Sequence, residues 1–382
     1  MVHLQALGSN GSGQLGIGHK EDVSSPETVL LPPSLTSTDT PSPKLLHIAA
    51  GGNHTMLLFD SGDLLWSGDH TEGAFGPVAS LDNEDVEQPP RFRPVALPPS
   101  ILANSKVTHV TATWTATIFA TTTTTTPTTT TPKTTLYALG TGLKGELGLG
   151  PRTTTIHEPT PIPNFPPPNT HLTSLASCMG HTVAVLNTGE VWGWGNGRKG
   201  QLGEPSAAAV YSPRRIEGIQ FPVVKVVCGR EFTVLFGGPE TGEMVVLGSD
   251  KWGVRSGAPS RETVRGWKDV GAGWGGVVVL TRDGGLVAWG RDDHGQLGSE
   301  ENRERLGGVE RIAVGSEHAL ALTEQGDVVV WGWGEHGNCG EIRKVEGEKG
   351  ERNKIAAREE GRGIAMIGAG CATSWIAVEK QT

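Results

Sequence analysis

A nine-residue glycine pattern recurs seven times along this chain, and no other feature restricts its fold as much. The pattern is a glycine, four variable residues, a second glycine and a short tail. It is clearest at 8–16 and 195–203, followed by 140–148, 290–298 and 332–340, and more loosely by 68–76 and 248–256. A second pattern alternates with it: an apolar stretch, one or two small residues, then a His-Thr-like pair that opens an alternating run, as at 50–55 and 314–319. Aligned together, these runs put His54, Ala116, His181, Phe232, Gly276, His318 and Thr373 in one column. A unit this short cannot bury its own apolar face, so stacked copies must form the core.

The order of the patterns specifies the closure. Each His-Thr-like run except the last passes through a turn such as 60–63, 187–190 or 325–327 into the next glycine loop, which reads as a β-hairpin. The chain opens with an unpaired glycine loop at Gly8 and closes with an unpaired run at 370–375, so the two ends complete one sheet. Seven radial sheets sealed in this way leave few open strand edges. The expected fold is an all-β, seven-bladed β-propeller forming one domain over 1–382. Strand direction alternates along each antiparallel sheet, so the glycine loops and the small-residue loops share one face of the disc. The hairpin turns fall on the other.

Composition agrees with a turn-rich chain. Glycine accounts for 55 of 382 residues, about twice the usual share. With 32 Lys and Arg against 41 Asp and Glu, the net charge of −9 opposes a polybasic nucleic-acid or membrane-surface binder. The N-terminus has no signal-peptide pattern, and no apolar run is long enough to span a bilayer. Cys178, Cys228, Cys339 and Cys371 are far apart, as reduced thiols of a cytoplasmic or nuclear protein would be. The threonine-rich 121–135 stretch is expected to be a disordered hairpin insert and 341–363 a charged excursion, a solvated loop, in the last repeat.

No nucleophile elbow, phosphate-binding loop or metalloprotease helix appears, so the sequence gives no support to an enzyme. His54, His181 and His318 sit in separate repeats and are expected to be buried histidines with a bonded ring nitrogen, since a metal needs converging ligands. The informative signal is deviation within the loop columns. Trp333 stands where the other six copies have a polar residue, and Trp252 stands where they have short polar or charged ones. Trp114, Arg230 and Trp274 stand where Gly52 and Ser316 are small. Exposed Trp and Arg residues are frequent interface anchors, although an indole can equally plug the central channel. Together with Glu335 and His336 from the Trp333 loop, these residues form the expected partner-binding set, with no catalytic or metal-binding residue assigned.

The glycine loops ending in Gln-Leu-Gly and the Gly-x-x-His-Thr runs resemble the RCC1-repeat family. Within it, 8–22, 315–318, 331–340 and 370–376 resemble the fungal alpha-tubulin-suppressor, or killer-toxin-insensitivity, branch. That resemblance implies a cofactor-free, non-enzymatic propeller. Its implied partner is a small zinc-ribbon electron-carrier protein, a heterodimer serving diphthamide synthesis and Elongator-dependent modification of tRNA wobble uridines. It implies cytoplasmic and nuclear localisation. The founding member of the family implies the alternative, guanine-nucleotide exchange on a Ran-type GTPase. A propeller lyase or hydrolase is a third class, for which no acid–base cluster is evident.

Overall fold

A computed structural model describes residues 3–36, 43–75, 88–123, 132–299, 306–341, 353–357 and 361–380. Its strands form seven antiparallel sheets, the blades of a β-propeller. Blade 1 starts with Leu45–Ala50, blade 2 with Ser105–Ala112, blade 3 with Leu172–Cys178, blade 4 with Lys225–Cys228, blade 5 with Trp267–Ala272 and blade 6 with Val309–Val314. Blade 7 is built from both chain ends. His3–Gly8 pairs along its full length with Thr373–Lys380, from His3 opposite Val378 to Gly8 opposite Thr373. The expected closure is therefore observed.

One contact explains why glycine recurs. The first glycine of each of the seven loops has a positive φ, between 100° and 124°. A Cβ there would lie 2.2–2.6 Å from the carbonyl oxygen of the residue before the His column, for example Glu231 above Gly248. The next amide donates to that same carbonyl in every blade, from Ser9 to Ala372 (2.8 Å) through Trp333 to Glu317 (2.8 Å). Glycine is required because the backbone conformation is left-handed and the approach leaves no room for a side chain. The same bond joins the two loop classes seven times, which places both on one face of the disc.

The His column joins neighbouring blades. His54 Nε2 lies 3.2 Å from Thr117 Oγ1, His181 Nε2 3.0 Å from Thr233 Oγ1, and His318 Nε2 2.9 Å from Ser374 Oγ. Thr233 and Ser374 donate their hydroxyl protons to the carbonyls of Gln201 and Asn338. Their oxygens must then accept from the imidazole, which fixes the Nε2–H tautomer of His181 and His318. Burial holds all three rings at about 4, well below the usual 6.5, so they are neutral at physiological pH.

The apolar core lies between the blades. Trp194, Trp331 and Trp375 are fully buried there, each worth roughly 1.5–3 kcal/mol in removed apolar area. The Trp194, Trp289 and Trp331 indoles also donate to the loop carbonyls of Glu146, Val254 and Gln296 in the preceding blade.

Two details differ from the sequence expectation. Ala116–Thr123 and Thr134–Thr141 are paired strands, so the threonine insert is shorter at both ends; Thr121 and Thr134 are buried on the ladder, and 124–131 lie outside the described residues. Asn353–Ala356 forms the outer strand of blade 6 and Arg362–Ala369 a strand of blade 7, so the 341–363 stretch is not one loop; 342–352 and 358–360 lie outside the described residues. Blades 4 and 5 each show three strands among the described residues, and in blade 4 a 3₁₀ turn, Lys251–Gly253, and a short helix, Arg261–Val264, follow them. Val254 and Val264 pack there against Phe232 and Trp267.

Candidate protein interface around the channel mouth

The innermost strands surround a central channel of about 270 Å³, lined by Ala49, Ala112, Ala176, Val226 and three of the cysteines, Cys178, Cys228 and Cys371. Burial raises the Cys228 thiol well above its ordinary value and that of Cys339, buried outside the channel, to about 12. These thiols stay protonated and poorly nucleophilic. Among the described residues, no three His, Cys, Asp or Glu side chains converge as a metal site.

At the loop face the channel rim is stitched by backbone hydrogen bonds between successive blades. Gly52 donates to Trp114, Trp114 to Met179, Arg230 to Trp274, Trp274 to Ser316, and Ser316 to Gly370. The expected Trp114, Arg230 and Trp274 therefore each sit in a segment tied by backbone to the next blade. The Trp114 indole lies over Gly52, where a Cβ would come within 2.5 Å of it. Trp114 and Trp274 approach to 6.1 Å between ring centroids, and the Arg230 guanidinium sits 5.4 Å from the Trp274 ring. Both indoles line the channel, yet Trp114 remains 38% exposed. They cap the mouth and face solvent at once.

Trp252 extends this cluster. It is 46% exposed and has φ +69°, a conformation that bulky residues rarely adopt. The Arg291 guanidinium and the Lys251 ammonium each lie 4.9 Å from its ring. Arg291 is itself immobilised: Nε and Nη2 donate to the two oxygens of Asp293 at 2.7 and 2.8 Å, and Nη1 donates to buried Glu317. Gln296 bonds both carboxylates. The Arg291 hydrogen bonds hold the Asp293 carboxyl far below the usual carboxylate range. A groove of about 170 Å³ separates Trp252 from Trp274, bordered by Arg230, Ser249 and Arg291.

Trp333 joins from blade 6. Its indole stacks on His294 at 4.8 Å, and His294 Nδ1 lies 3.1 Å from Asp293. His336 instead pairs with Asp22 at 2.9 Å, bridging blade 6 to the closing blade, and Glu335 is exposed beside it. Five of the seven expected residues thus form one aromatic–cationic arc, with Glu335 and His336 at its end. Sequence reasoning missed Lys251, beside Trp252 in the chain, and Arg291 and Glu317, whose positions matter only once neighbouring blades meet. It also missed Leu143, a loop-face residue that is 71% exposed.

The RCC1-like domain family model matches residues 3–376. An RCC1 repeat-containing protein of Schizosaccharomyces pombe is 29% identical over 74% of this chain and 74% of its own length. The secretion-regulating guanine nucleotide exchange factor of Mus musculus is 28% identical over 65% of this chain and 49% of its own. Among solved structures, Prp20p of Saccharomyces cerevisiae superposes with TM-score 0.78 at 20% identity, covering 100% of this chain and 92% of that one.

Proposed function

The chain belongs to the RCC1-like domain family, and from that premise we propose that it is a non-enzymatic adaptor whose loop face binds a small zinc-ribbon electron-carrier protein. The observation that carries the adaptor reading is the exposed arc from Trp114 through Trp252 to Trp333, held by backbone bonds and the Arg291 carboxylate network. Exposed indoles and arginines at the centre of a rigid surface are the usual anchors of protein interfaces. Because these side chains are already ordered, little conformational entropy is lost when a partner docks.

The identity of the partner rests on the motif resemblance at 331–340 and 370–376. With that partner the chain would act, in cytoplasm and nucleus, in diphthamide synthesis and Elongator-dependent wobble-uridine modification. Size-exclusion chromatography of the chain mixed with the purified fungal zinc-ribbon protein tests this. Co-elution as a one-to-one complex is expected; separate elution at micromolar concentrations contradicts it.

Guanine-nucleotide exchange is a second reading, favoured by the likeness to the mouse exchange factor. Its assay is GDP release from a Ran-type GTPase. Strong acceleration by this chain would replace the adaptor reading.

A further inference from the structure

We propose that the loops of blades 2 to 4 form a basic arc that receives an acidic segment of the protein partner, with Arg230 and Lys251 as its central cations. The inference rests on reading the loop face as the partner surface, and adds the chemistry that the partner must present. Six cations lie exposed on this arc: Lys144, Arg198, Lys199, Arg230, Lys251 and Arg255. Among the described residues, none of the six is in a salt bridge; elsewhere Arg215, Lys225, Arg282 and Lys354 each face a carboxylate, while Lys44, Lys106 and Lys268 are exposed without a salt bridge. Across the mouth, Arg291 is matched by Asp293 and Glu317, and His336 by Asp22.

Three of the carboxylates among these cations are engaged with loop backbone. Glu146 accepts from the Lys144 amide, Glu204 from the Ser206 amide, and Asp250 from the Arg255 and Ser256 amides. They order the loops and leave the cationic side chains extended towards solvent. The three loops abut, since a Cβ on Gly180 would meet Glu146 at 3.4 Å and one on Gly200 would meet Gly248 at 3.9 Å. Arg230 and Lys251 lie over the Trp274 and Trp252 rings on either side of the groove. A carboxylate entering there would meet two cations and two aromatic walls, with Glu231 and Glu317 at the border.

The occupant follows from charge. A molecule with net charge −9 repels an acidic partner everywhere else, so an unpaired basic arc selects where and in what orientation that partner lands. Single-stranded RNA is the competing occupant, because indoles also stack on bases. The acidic protein segment is favoured because the loop face is taken as the surface of a protein partner, and because a net charge of −9 opposes a long phosphate chain more than a short acidic segment.

Fluorescence anisotropy with a short labelled oligoglutamate, its glutamine counterpart and a short oligouridylate tests the arc. The expected result is salt-sensitive binding of oligoglutamate alone. Arg230→Glu and Lys251→Glu should each weaken it about tenfold, and Arg282→Glu on the hairpin face should not. Absence of oligoglutamate binding, binding indifferent to the two substitutions, or preferential binding of oligouridylate would each overturn the proposal. The same variants, titrated with the zinc-ribbon protein, separate the two claims. A complex that forms with unchanged affinity in both variants sinks the basic arc and spares the adaptor, whereas oligoglutamate binding without any complex spares the arc and sinks that partner.

Discussion

Trp114 and Trp274, from blades separated by two others, bring their rings to 6.1 Å across the channel mouth, each held by its own backbone bond to the next blade. The pair turns seven separate loops into one surface whose centre is aromatic and whose flank is cationic. The exposed indoles around it are expected to contribute to binding and little to folding.

Trp252 offers the sharpest separation of those two roles. Its positive φ costs about 1 kcal/mol that a glycine would not incur, while its ring is half exposed. Trp252→Gly is expected to leave the urea midpoint unchanged or raise it, and to weaken partner binding at least tenfold by calorimetry. A lower midpoint would make Trp252 a folding residue. In contrast, Trp331→Ala removes a buried indole and should cost about 3–5 kcal/mol.

The loop glycines make an equally direct prediction. At Gly248 an added methyl would sit 2.4 Å from the Glu231 carbonyl at φ +102°, so Gly248→Ala should destabilise the fold by about 3 kcal/mol. Gly11 lies in the same class of loop, and a methyl added there would meet nothing within 4 Å. Gly11→Ala is expected to change stability by less than about 0.5 kcal/mol in the same denaturation series.

Stability should depend on pH through the inter-blade histidines. The unfolded chain protonates His54, His181 and His318 near 6.5, whereas the folded rings resist until about 4. Above 6.5 both states are neutral and the stabilisation is complete; as pH falls from 6.5 towards 4 the unfolded state binds more protons and stability declines. Each ring contributes about 1.4 kcal/mol per pH unit across that window. Urea titrations at pH 7.5 and pH 5.5 should show the loss, and His181→Asn should reduce its slope by about one proton. A stability independent of pH over this range would contradict the buried, neutral latches.

The propeller was legible because its defining constraint is local. A left-handed glycine facing a carbonyl must recur wherever the blade recurs, and the unpaired Gly8 loop and 370–375 run announced the shared blade. Odd residues in a regular column, such as Trp252 and Trp274, were legible for the same reason. The network around Arg291 was not, since Asp293 looks like an ordinary loop acid until Glu317 arrives from the next blade. Nor was the outer strand Asn353–Ala356, whose charged surroundings resemble a solvated loop and whose pairing with Val328–Gly332 depends on register. Nothing in the composition of Lys251 or Arg230 indicates that either lacks a carboxylate partner; only the arrangement of the blades does.

Hydrogen exchange of the chain, free and bound to the zinc-ribbon protein, tests the central claim most directly, because it reads which face is covered. The expected result is added protection confined to the loop face, at 112–116, 228–232, 249–256, 272–276 and 291–296. Protection centred on the hairpin turns at 60–63, 187–190 and 325–327, or no change on mixing, would contradict it.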